Sequence, residues 1–93
     1  MERAAQLKKK IEQTFFALGF NEEMVGGKRC LVYGSTYCML TYIDHFRAFV
    51  IEWAGSRGEA EKNMFEDGDL FFLEDPDETI LRAVQKEILA ERK

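Results

Sequence analysis

A chain of 93 residues is the size of one domain, and an apolar content of 46% with eight phenylalanines excludes a disordered segment. Its 13 basic and 17 acidic side chains leave a formal net charge of −4, so the mean field repels polyanions and nucleic acid is not an expected partner. No stretch approaches the roughly 20 apolar residues of a membrane span. The first ten residues, MERAAQLKKK, have no apolar run behind their positive charges, unlike a secretory signal. Cys30 and Cys38 are too few for a disulfide framework, and a reducing, cytoplasmic location is expected.

Taken in order, residues 2–18 have the spacing of an amphipathic helix, with Ala4, Leu7, Ile11, Phe15 and Leu18 on one side and Lys8, Lys9, Glu12 and Gln13 on the other. Gly19 follows the last periodic residue and suits a left-handed C′ position, after which Phe20 packs back on Phe15. Residues 20–25 are a candidate short strand returning through Gly26-Gly27, whose positive φ angles suit a tight hairpin.

The next stretch, Lys28 to Trp53, is the centre of the chain. Three β-branched and aromatic runs at 28–33, 36–43 and 46–53 are separated by Gly34-Ser35 and Asp44-His45, the pattern of an antiparallel meander. With two-residue turns, Leu31, Tyr33, Cys38, Leu40, Tyr42, Phe49, Ile51 and Trp53 share one face. Cys30, Val32, Tyr37, Met39, Ile43, Phe46, Ala48 and Val50 share the other, which separates the two cysteines. A three-residue loop centred on Gly34 would instead set them opposite each other. Both faces are apolar, whereas a sheet covered on one side normally alternates apolar with polar. Either two helices divide between the faces, or both cover one face and the second meets a copy of the protein or a different partner.

After Trp53, Gly55, Ser56 and Gly58 break the strand. Ser56 with Glu59 resembles a capping box for a short helix over about 57–65. FEDGD at 65–69 is expected to turn, and Leu70 to Leu73 to form a last strand at an edge. Asp75, Pro76 and Glu78 form an N-terminal capping box for a second long helix ending near Arg92, with Ile80, Leu81, Val84, Ile88 and Leu89 as its apolar stripe.

His45 is the single histidine, so any serine or cysteine triad would depend on it. It sits at a predicted turn next to Asp44, where adjacent side chains point apart. Cys38 falls mid-strand, a place for inert packing. Glu52 is a candidate general acid or base if buried, with no partner identified. Nine carboxylates lie between Glu59 and Glu78 against Lys62 alone. Their spacing is not that of an EF-hand loop, and no metal or other cofactor is expected. They are instead a solvated rim or a docking surface for a basic protein. Val25-Gly26-Gly27-Lys28 lacks the spacing of a phosphate-binding loop.

The order helix, meander, helix is shared with double-stranded-RNA-binding domains, which carry a lysine cluster at the start of the last helix. Here that helix starts Asp75, Pro76, Asp77, Glu78, the wrong sign, so no family resemblance is claimed.

The expected fold is therefore a single α+β domain over 1–93. It has a mainly antiparallel four- or five-stranded sheet in the order α-(β)-β-β-β-(short α)-β-α. The expected role is a non-catalytic interaction or self-associating domain, a homodimer or a binder of another protein with a basic surface. Glu66, Asp67, Asp69, Tyr37, Met39 and Phe46 are its candidate contact residues. The alternative is a small enzyme or ligand-binding domain with Glu52, Tyr33, Tyr42 and His45 around a pocket between sheet and helices.

Overall fold

The computed structural model describes residues 2–93. Their elements are α1 (Glu2–Ala17), β1 (Asn21–Val25), β2 (Lys28–Tyr33), β3 (Thr36–Ile43), β4 (Ala48–Ala54), α2 (Arg57–Glu61), β5 (Glu66–Phe72) and α3 (Asp77–Glu91), with a 3-10 turn at Asp44–Phe46. The architecture is the expected α+β arrangement, and the sheet has five antiparallel strands in chain order β1-β2-β3-β4-β5. Among the described residues no helix is long and apolar enough to cross a membrane.

Local chemistry sets several boundaries where the residue pattern places them. Gly19, at φ +94°, closes α1: the Phe20 N–H donates to the Phe15 carbonyl and the Gly19 N–H to that of Phe16, each at 3.1 Å. That is the paired bonding of a Schellman motif, completed by edge-on packing of the Phe15 and Phe20 rings at 5.0 Å. Gly26 and Gly27, at φ +56° and +80°, turn β1 into β2. Tyr33 pairs with Thr36 and Leu31 with Cys38, so Gly34-Ser35 is a two-residue turn. Cys30 and Cys38 are accordingly free thiols buried on opposite faces.

Four boundaries differ from expectation. The β3–β4 link is longer, because Ile43 pairs with Ala48 and not with Phe46. Strand side chains alternate with period two, so two extra residues preserve the faces of Phe49, Ile51 and Trp53 while lifting Phe46 off the sheet. α2 stops at Glu61, with Asn63 at φ +60° just beyond. Its cap forms: Ser56 Oγ accepts from the Glu59 N–H at 3.2 Å, while the Glu59 carboxylate accepts from the Gly55 N–H at 2.9 Å. Within FEDGD, residues 66–69 are strand rather than turn, since Glu66 and Asp67 pair with Trp53 and Glu52, and Gly68 and Asp69 together oppose Ile51 as a bulge. α3 starts at Asp77 with Pro76 as an N-cap that makes no side-chain bond. The Asp77 carboxylate is bound instead by Arg3 at 2.7 Å and Lys10 at 3.0 Å, which tie α1 to the start of α3.

Both long helices cover the same sheet face. Leu7, Ile11 and Phe15 of α1 and Ile80, Val84 and Ile88 of α3 pack on Leu31, Cys38, Phe49, Ile51, Trp53 and Phe71. The second face is covered only in part. There α2 sets Ala60 among Val25, Cys30, Val32, Tyr37 and Ala54, with Met39 and Phe65 at the margin. Burying apolar surface contributes about 25 cal/mol per Å2, so the first face carries most of the packing. The rest of the second face is left without a layer above it.

Candidate functional site

The uncovered part of the second face is built from three cross-strand rows. Met39, Glu52 and Asp67 form the first row; Thr41, Val50 and Leu70 the second; Ile43, Ala48 and Phe72 the third. Directly paired residues project to the same side of a sheet, so register alone assembles this surface. Val50 and Ala48 are buried beneath their neighbours, Met39, Thr41 and Ile43 are half-buried, and Leu70 and Phe72 are each 38% exposed. Phe46 stands at the foot of the rows on the 3-10 turn, 53% exposed. A continuous apolar strip thus leads from the turn to β5.

The upper end of the strip is acidic. Glu52 and Asp67 are direct partners across β4 and β5, an arrangement of like charges that is unfavourable by itself. Thr41 Oγ1 donates to Glu52, and among the described residues neither carboxylate has an ion-pair partner.

Around the edge of β5 the surface continues into a groove against α3. One cavity there, of about 550 Å3, is lined by Trp53, Asp69, Lys86, Glu87 and Ala90 among others. A second, of about 460 Å3, runs past Leu70, Phe72 and Thr79. The two share Gly68, Asp69 and Ala83, so they adjoin along the seam between β5 and α3. Glu87 lies in the groove wall, half-buried and fully engaged: Trp53 Nε1–H donates to Oε2 at 2.6 Å and the Asp69 N–H to Oε1 at 3.0 Å. Burial pushes the Glu87 carboxyl above its ordinary range, against the lowering effect of those two bonds.

The expected contact residues divide among these surfaces. Glu66 projects to the helix side opposite Trp53, Asp67 to the second face, and Asp69 lies in the bulge; the three ring the β5 edge without forming one flat patch. Phe46 lies on the open strip and Met39 at its border. Tyr37 is buried, 7% exposed, in the cluster beneath α2. The four residues of the pocket alternative do not converge. Tyr33 and Tyr42 face the helices, Glu52 faces the other way, and His45 is exposed on the 3-10 turn beside Phe46, with ring centroids 5.4 Å apart. The Tyr42 hydroxyl is buried without a hydrogen-bond partner among the described residues. Burial drives the Cys38 thiol far above its ordinary pKa, and its Sγ–H donates to the Leu31 carbonyl at 3.4 Å, the condition of an inert core cysteine. Among the described residues, no group of three or more His, Cys, Asp and Glu side chains is placed to hold a metal ion.

Leu70, Phe72, Gly68 and Glu87 are the site residues that residue patterns alone do not single out. Glu87 does carry a signal: it falls seven residues after Ile80 and three after Val84, inside the buried stripe of α3, where a carboxylate needs partners. Comparison with protein-family models, curated proteins and solved structures gives no match for the chain.

Proposed function

We propose that this domain is a non-catalytic protein-interaction module whose working surface is the open strip of the second sheet face and the adjoining edge of β5. The observation behind the reading is the exposure of Phe46, Leu70 and Phe72 on the outside of a sheet whose other face is packed under two helices. Exposed aromatic and aliphatic side chains in one contiguous run supply the desolvation on which protein association depends. The unneutralised carboxylates at the upper end favour a foreign partner with basic side chains over a second copy, which would present the same negative rim.

Photo-crosslinking in the source cell tests the reading. A benzoylphenylalanine at position 46 or 72 is expected to give a discrete adduct with another polypeptide, while the same group at position 9, on the exposed side of α1, is not. Absence of adducts from both strip positions would remove the proposal. An adduct of twice the chain mass would replace the foreign partner by a second copy.

A further inference from the structure

Resting on that interaction reading, we infer that the partner is an extended, basic segment that adds to the free edge of β5 as a further strand, seated in the groove between β5 and α3. Among the described residues, β5 has a strand neighbour on one side only, β4. In an antiparallel ladder alternate N–H and C=O groups point outward; the Asp69 N–H is taken by Glu87 and the Phe72 carbonyl by the Asp75 N–H, so the backbone that β5 offers an incoming strand is the outward set around Leu70 and the Phe72 N–H. The groove beside it has room on either side of Glu87: Ala83 and Ala90 of α3 line it, and two adjoining cavities of about 550 and 460 Å3 follow the length of β5.

Charge identifies the occupant. Glu66, Asp67, Asp69 and Glu91 line the larger cavity with Lys86 as the basic residue, and no ion pair among the described residues engages any of these carboxylates. The opposite edge of the same sheet is a built-in comparison. On β1, Glu22 is bound by Arg29 at 2.8 Å and Glu23 by Arg57 at 3.4 Å, so that edge neutralises its own acids. The β5 edge leaves its acids for a partner. A second copy pairing edge to edge would set like carboxylates against each other, which acidic edge residues serve to prevent.

Geometry also orders the partner's side chains. A strand added beside β5 alternates between the two faces of the sheet. Side chains on the second face would extend the apolar strip beside Leu70 and Phe72, and those on the helix side would enter the acidic groove. The segment therefore alternates apolar with lysine or arginine.

The test uses the intact chain and the peptide acetyl-Val-Lys-Val-Lys-Val-Lys-Val-amide at low ionic strength, read by the emission of Trp53 and by backbone amide shifts along β5. Binding is expected. It should weaken at least tenfold when glutamate replaces lysine, and at least tenfold when the chain carries Glu66→Gln, Asp67→Asn and Asp69→Asn together with an unchanged unfolding temperature. Methylating alternate peptide nitrogens should weaken binding at least tenfold in one phase and much less in the other, because only one set of N–H groups faces β5. Equal binding of both methylated phases would overturn strand addition, as would the absence of binding to the unmodified peptide. A crosslinked foreign adduct from position 72 with no peptide binding would leave the interaction reading standing and remove this one; loss of both would remove both.

Discussion

Trp53 on β4 and Glu87 on α3 are joined by a 2.6 Å hydrogen bond from the indole N–H to the carboxylate, a polar tie between helix layer and sheet. The same carboxylate takes the Asp69 N–H at the β5 bulge. One side chain thus links α3, β4 and β5 at the wall of the groove.

Burial holds the Glu87 carboxyl above its ordinary range, so the folded state keeps this proton more tightly than the unfolded chain. The contribution of this group to stability is present in full below its unfolded pKa and is lost as pH rises through its folded value. Because Trp53 is the single tryptophan, its emission should report the titration. The expected midpoint lies above the ordinary glutamate range and disappears in Glu87→Gln. A midpoint at or below that range, or the same transition in the variant, would contradict the assignment.

Gly68 allows this tie to form. A Cβ at that position would collide with Glu87 Oε2 and lie 2.8 Å from its Cδ. Gly68→Ala should displace the carboxylate, release the Trp53 N–H and cost about 1–2 kcal/mol in denaturant unfolding. In a Glu87→Ala background the same substitution should cost much less, since the colliding group is gone. Additive costs in that double-mutant cycle would show that the glycine serves something other than Glu87.

Tyr42→Phe removes a hydroxyl that is buried without a partner while leaving the ring packed on Phe49, with centroids 5.0 Å apart. The expected result is unchanged stability or a gain of up to about 1 kcal/mol, because no bond is lost and a desolvated polar group is relieved. A loss larger than that in thermal or chemical unfolding would mean that the hydroxyl is satisfied in solution.

The two thiols should be silent in the native chain. Both are buried, on opposite faces, and burial raises the pKa of each. A thiol reagent at pH 8 is expected to leave the folded protein unmodified and to label both cysteines once denaturant is added. Rapid labelling of the folded chain would indicate local opening of the centre of the sheet.

Much of the fold was legible because its causes are local. Gly19 with Phe15 and Phe20 encodes the end of α1, Gly26-Gly27 and Gly34-Ser35 mark two hairpins, and once strand pairing makes Gly34-Ser35 a two-residue turn the period of two puts Leu31, Cys38, Ile51 and Trp53 on one face, although the β3–β4 link is two residues longer than the pattern implies. The apolar load on both faces was equally plain, since alternation is a property of neighbouring residues. Three features depended on the tertiary structure. Residues 65–69 are polar enough to be a turn in isolation, and become mostly strand because Trp53 and Glu52 on β4 offer register partners at a sheet edge. The choice of one face for both long helices is set by packing between α1 and α3, reinforced where Arg3 and Lys10 hold Asp77. Glu87 meets Trp53 across 34 positions and Asp69 across 18. No local pattern contains such distances, so the residues of the groove were brought together by the closing of the fold around its core.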